Sequence, residues 1–131
     1  MFLMIYTLII KQLFKYIPML SIKEIQKKRK LFSQTDKSVV IAFKALSDVN
    51  RYRIFRVLAE QPNLSVSDVA KILDLSLPLI SQHIKILEQA NLLQKERKGK
   101  MVFPKIELTD PFVKVIVKTV RQAVKLKNKK G

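Results

Sequence analysis

The sequence predicts a mainly α-helical domain carrying one small β-hairpin, and three observations point there. Apolar residues recur at helical spacing from Val39 to Ala90 and again from Phe112 to Val124. Residues suited to capping helices, Asn50, Ser65, Ser76 and Asp110, stand just ahead of four of these stretches. The single internal glycine, Gly99, lies between two short extended runs, Leu93 to Arg97 and Lys100 to Phe103. The 131 residues, 48% of them hydrophobic, suffice for one folded domain plus a tail.

The amino end supplies the tail. Residues 1–37 carry 8 basic and 2 acidic side chains and read as a basic, apolar extension, either disordered or amphipathic. The uncharged run Met1 to Ile10 is too short to cross a bilayer core of about 30 Å. Lys11 and Lys15 follow the apolar run, whereas a secretory signal places its charges before it. Residues 1–20 therefore suit weak contact with an anionic membrane surface, helped by Lys27-Lys28-Arg29-Lys30. The alternative is an upstream extension with little folded role, translated from a start before Met19. The break at Pro18 closes the first part, and Ser33 to Lys37 reads as a polar joint.

Residues 38–131 read as the folded domain. Val39 to Leu46 forms a short apolar helix ending near Ser47-Asp48. Asn50 caps a second helix with Ile54, Phe55 and Leu58 on one side, stopped by Gln61-Pro62-Asn63. Ser65 caps a third, with Asp68 completing a capping box. After the tight Asp74-Leu75-Ser76 connection, Ser76 caps Leu77 to Ala90, with Pro78 in its permissive first turn. Two short helices joined by about three residues make a helix-turn-helix.

At about 100° per residue, Ile80, Ile84 and Leu87 of the second helix share one face. Pro78, Gln82, Lys85 and Gln89 lie opposite, flanked by Ser81, and Glu88, the helix's one acid, points sideways. Amides, hydroxyls and an ammonium without a carboxylate fit a DNA major groove, where Gln pairs with adenine and Lys with guanine or phosphate. The following hairpin, with basic tip residues Arg97, Lys98 and Lys100 around Gly99, is then a wing that reaches phosphates or the minor groove. Pro104 marks its second strand as an edge or as ending there. Ser76 and His83 join the wing in holding phosphates. The element order is that of a winged helix-turn-helix.

Composition agrees. Lys and Arg number 26 against 10 Asp and Glu, a net charge of +16, which calls for a polyanion: nucleic acid first, anionic membrane second. Cysteine is absent and glycine occurs twice, so thiolate chemistry and phosphate-cradling loops are excluded. One histidine and no paired acids leave no support for an enzyme. The last helix, capped by Asp110 with Pro111 at its first position, carries Phe112, Val113, Val115, Ile116, Val117, Val120 and Val124. That face exceeds what a small core requires, so part of it is expected to pair with a twofold mate beside the Val39–Leu46 helix; the alternative is that it folds back on its own core. Lys125 to Lys130 reads as a frayed basic tail.

The stretch Ala42-Phe43-Lys44-Ala45-Leu46-Ser47-Asp48, then Arg51-Tyr52-Arg53-Ile54, resembles the opening signature of the ArsR/SmtB winged-helix repressors. So does Ser76-Leu77-Pro78-Leu79-Ile80-Ser81-Gln82-His83-Ile84-Lys85-Ile86-Leu87, followed by Ala90-Asn91-Leu92-Leu93. The resemblance covers about residues 39–108. It implies a cytoplasmic homodimeric repressor that binds an imperfect palindrome in double-stranded DNA and leaves it when an inducer binds. Two departures bear on that inducer. Where many members carry Glu-Leu-Cys-Val-Cys-Asp, this chain reads Asn63-Leu64-Ser65-Val66-Ser67-Asp68, and hydroxyls are poor soft-metal ligands. Where others place Asp-x-His, Asp110-Pro111-Phe112 lacks the imidazole. No cofactor and neither family metal site is expected, and the inducer stays unidentified. The reading from another class is a membrane-surface or protein-interaction adaptor that uses the winged helix and its basic amphipathic ends.

Overall fold

Side chains that satisfy the otherwise unpaired N–H groups of a helix's first turn set where most helices of this chain begin. The structure, a computed structural model, describes residues 1–16 and 19–129, so Pro18 and Lys130 lie outside the described residues. The chain divides into two units, Met1–Asp36 and Lys37–Gly131. The first holds α1 (Phe2–Tyr16) and α2 (Ile22–Arg29). The elements that follow are α3 (Gln34–Leu46), α4 (Val49–Glu60), α5 (Val66–Leu73), α6 (Leu77–Gln89), β1 (Leu93–Lys98), β2 (Met101–Ile106) and α7 (Pro111–Asn128).

Four boundaries correct the sequence reading. Ser33 to Lys37 is no joint, because the Asp36 carboxylate accepts the Ser33 N–H at 2.9 Å and α3 already starts at Gln34. Asp48, not Asn50, caps α4: its carboxylate accepts the N–H groups of Asn50 and Arg51, both at 3.0 Å, which places Asn50 inside the first turn. The hairpin turn is Gly99-Lys100, one residue later than expected, with Lys98 opposite Met101. Gly99 there has φ 61 and Lys100 does not share a positive φ, the pattern of a turn that takes glycine at its first central position. Lys125 to Asn128 is helical, not frayed, since α7 runs on to Asn128.

The other caps stand as read. Ser65 and Asp68 form a reciprocal capping box, Ser76 accepts the Leu79 N–H, and Asp110 accepts the Phe112 N–H at 2.9 Å. Both helices of the pair end on a left-handed residue, Asp74 at φ 53 and Asn91 at φ 60. Asp and Asn tolerate that region better than most side chains, and the reversal closes the last carbonyls: Leu75 donates to Ala70 and Leu92 to Leu87. Asn91 also donates its amide to Asp110 at 3.4 Å, tying the end of α6 to the start of α7.

Packing follows the apolar faces. Ile54, Phe55 and Leu58 of α4, Val69 of α5 and Ile80, Ile84 and Leu87 of α6 form one buried core, closed by Leu92, Leu93 and Val113. β1 and β2 pair antiparallel from Leu93↔Ile106 to Lys98↔Met101. The second strand runs through Pro104, which sits opposite Lys95; in a two-stranded sheet every strand is an edge, where a missing N–H is tolerated. Val113, Ile116, Val117 and Val120 of α7 turn inward, leaving Val115 and Leu126 exposed. Most of that valine face therefore serves its own core. Arg121 donates to the Ala59 carbonyl and Lys105 to the Pro62 carbonyl (3.2 Å) and Asn63 side chain (2.9 Å), so α7 and the hairpin are both fastened to the end of α4 and the loop after it.

Ile84 is fully enclosed, so Ile84→Ala is expected to cost about 2–5 kcal/mol in denaturant titration. A second expectation concerns acid. The Arg51 N–H holds the Asp48 carboxyl below its ordinary value; partial burial works against it, while the charges of Arg51 and His83 and the Asn50 N–H add to the lowering. Because the folded value is depressed, the stabilisation is full above the ordinary carboxylate pKa of about 4 and is lost as pH falls through the lowered one. Asp48→Ala is thus expected to cost about 1 kcal/mol at neutral pH, with its stability curve converging on the parent's in acid. An offset that persists unchanged in acid would show that the cap does not act through its charge.

Candidate nucleic-acid interface

The rotation of α6 is set from below. Ile80, Ile84 and Leu87 are all 0% exposed, which turns Pro78, Ser81, Gln82, Lys85 and Gln89 outward, each exposed. Among the described residues no ion pair engages Lys85. Glu88 is half-buried and paired with Lys95 at 2.8 Å, so the helix's only carboxylate is drawn off the outward stripe and neutralised. That pair also joins the base of the hairpin to α6. Sequence reasoning missed Lys95, because a contact between a helix and a strand from separate elements has no local signature.

Ser76 stands exposed at the start of α6, its hydroxyl oxygen accepting the Leu79 N–H at 3.4 Å while its own proton stays free to donate. His83 is half-buried at the margin of the stripe, with Nδ1 enclosed and without a hydrogen-bond partner among the described residues.

Strand alternation sorts the wing's cations onto two faces. Lys98 shares a face with Phe103 and Lys105, and both ammonium groups lie over the Phe103 ring, at 5.6 and 5.8 Å from its centroid. Lys98 also stands 3.6 Å from Glu96. Arg97 shares the other face with Lys95. Together with Ser67 of α5 and Ser81 of α6, these two line a cleft of about 270 Å³ that Lys100 and Met101 close at the tip. The structure thus brings Ser81, Arg97 and Lys100 to one cleft, while Gln82 and Lys85 project from the open side of α6 and do not line it. Ser67 was not singled out in the sequence as a member of this surface.

The two places where the family resemblance would put a metal do not fit one here. Ser65 is 2% exposed and its hydroxyl is occupied by the Asp68 N–H, while Asp110 caps α7 and takes the Asn91 amide. Among the described residues no three His, Asp or Glu side chains gather as a metal site, and no helix is long and apolar enough to cross a membrane.

Comparison with known proteins agrees with this geometry. Residues 48–95 match the family model described as "Bacterial regulatory protein, arsR family". The chain is 36% identical over 90 residues to a cadmium resistance transcriptional regulatory protein CadC homolog of Staphylococcus aureus, covering 69% of this chain and 73% of that one. It is 36% identical over 76 residues to CadC of Listeria innocua, covering 58% of this chain and 64% of that protein. The transcriptional repressor SdpR of Bacillus subtilis is 34% identical over 67 residues, 51% of this chain and 73% of its own. The chain thus spans about two thirds to three quarters of these relatives' lengths. Among solved structures, the transcriptional regulator HlyU of Vibrio vulnificus superposes with a TM-score of 0.62 at 25% identity, over 73% of this chain and 97% of its own. With a transcriptional regulator 36% identical over 69% of this chain and 73% of its own length, and residues 48–95 matching the family model, this chain belongs to the ArsR family of bacterial regulatory proteins.

Proposed function

We propose that the protein is a transcriptional repressor that binds double-stranded DNA sequence-specifically as a homodimer, acting in the cytoplasm on an imperfect palindrome. The observation that carries this reading is the outward stripe of α6. Ser81, Gln82 and Lys85 stand exposed over a fully buried seam, and the nearest carboxylate is tied to Lys95. Gln82 and Lys85, with Ser81, face base edges in the major groove. Ser76, His83, Arg97, Lys98 and Lys100 hold the phosphate backbone, and Pro78 sets the entry of the helix. The relatives are transcriptional regulators, which favours regulation over catalysis.

A dimer seats two such helices in successive major grooves about 34–36 Å apart. The surface for it is apolar and open: Val40, Ile41 and Phe43 of α3 and Val115 and Leu126 of α7 are each half or more exposed, with Phe43 edge-on to Phe112 at 6.5 Å. The signal that releases DNA is not a thiolate-held metal, since no thiolate exists in the chain.

Two substitutions separate reading from gripping. Gln82→Ala is expected to lower affinity for the operator by about 1–3 kcal/mol while leaving random duplex unchanged, measured by competition binding. Equal loss on both duplexes would refute the role given to Gln82. Lys98→Ala or Lys100→Ala is expected to weaken binding to every duplex and to reduce the slope of log affinity against log salt by about 1. A loss confined to the operator would move that residue from the backbone to the bases.

A further inference from the structure

The first unit, Met1–Asp36, carries features that DNA reading does not use. α1 is a 15-residue helix in which Phe2 to Lys15 are all exposed, including Phe2, Ile5, Tyr6, Ile9 and Leu13. At about 100° per residue those five lie on one side, and Thr7, Lys11 and Lys15 make a narrow stripe opposite. The Thr7 hydroxyl donates to the Leu3 carbonyl at 2.8 Å, so even the polar stripe keeps that group satisfied within the helix. At about 1.5 Å per residue α1 is roughly 22 Å long, short of the ~30 Å needed to span a bilayer but ample to lie on one.

α2 supplies the charge. Lys23, Lys27, Lys28 and Arg29 are exposed on it, and Lys30 follows. Glu24 is the only acid in residues 1–35, and its carboxylate is turned back to accept the Ser21 N–H at 2.7 Å, which lowers its pKa and keeps it ionised within the cap. Five basic side chains on and just after α2, with Lys11 and Lys15 on the exposed apolar helix itself, against one acid decide among occupants. A second copy of this unit would cover the apolar side but bring like charges together. A nucleic acid would take the charge but leave the apolar side in water. An anionic lipid surface takes both.

We propose that Met1 to Lys30 binds the surface of an anionic bilayer, with the Phe2–Ile5–Ile9–Leu13 side of α1 in the acyl boundary and the α2 cations over the headgroups. This reading uses other residues than the DNA interface and stands or falls independently of it. The test is flotation of the full chain with vesicles of phosphatidylcholine alone or mixed with phosphatidylglycerol, alongside duplex binding by the same samples. The full chain is expected to float with the anionic vesicles and scarcely with the neutral ones. Lys27→Gln, Lys28→Gln, Arg29→Gln and Lys30→Gln combined should weaken flotation about a hundredfold or more. Ile9→Glu with Leu13→Glu should abolish it and leave duplex affinity unchanged. Equal binding to both vesicle types would overturn the proposal. So would retention by the Ile9, Leu13 pair variant, or loss on changing Lys98 and Lys100 instead, which would show vesicles caught by the wing. A drop in oligomer mass in that pair variant, without flotation by the parent, would assign α1 to a second copy and equally overturn it.

Discussion

Burial of Ile80, Ile84 and Leu87 is the constraint on which the rest of the domain turns. A helix is free to roll about its axis until one face is committed, and three fully enclosed side chains across two turns leave one rotation. Everything the outward side does depends on that rotation, because a roll of a single residue position would replace Gln82 and Lys85 with their neighbours. Phe55 and Leu58 of α4 and Val69 of α5 form the other wall of the same core. The cost of enlarging any one side chain there falls directly on where the outward side chains of α6 point.

Polar contacts then stop the neighbouring pieces from drifting. Left-handed Asp74, directly after α5, and Asn91, two residues after α6, close the two helices of the pair, so the connections stay short. Lys95 meets Glu88, Lys105 meets the α4–α5 loop and Asn91 meets Asp110. None of these surface contacts stabilises much alone. Their effect is positional, fixing the hairpin and the last helix against α6, whose rotation the core has already set.

Much of this was legible beforehand, and the reasons are physical. The buried seam of α6 shows as spacing, the Ser65 and Ser76 caps as residue type, and the hairpin as a lone glycine among extended residues. The boundaries that moved did so where two residues could perform one task. Asp48 outcompetes Asn50 because its carboxylate reaches two N–H groups at once, and Asp36 lengthens α3 by capping from within a polar run. The Lys95–Glu88 pair, the enclosed Nδ1 of His83 and the role of Ser67 in the cleft were not legible. Each needs side chains from separate elements to meet, and one chain read in order carries no mark of that. The valines of α7 show the opposite limit, since spacing identified an apolar face but not how much of it the domain would keep for itself.

The hairpin has one further property. Its foot is fastened through Lys95 and Lys105, while at its tip a side chain added at Gly99 would meet nothing within 4 Å. A side chain there would be strained by the left-handed backbone, not by any neighbour, so the bend itself is what holds that position to glycine. The hairpin is thus a lever pinned at one end and shaped at the other by a single bend, and its reach changes only if that glycine changes.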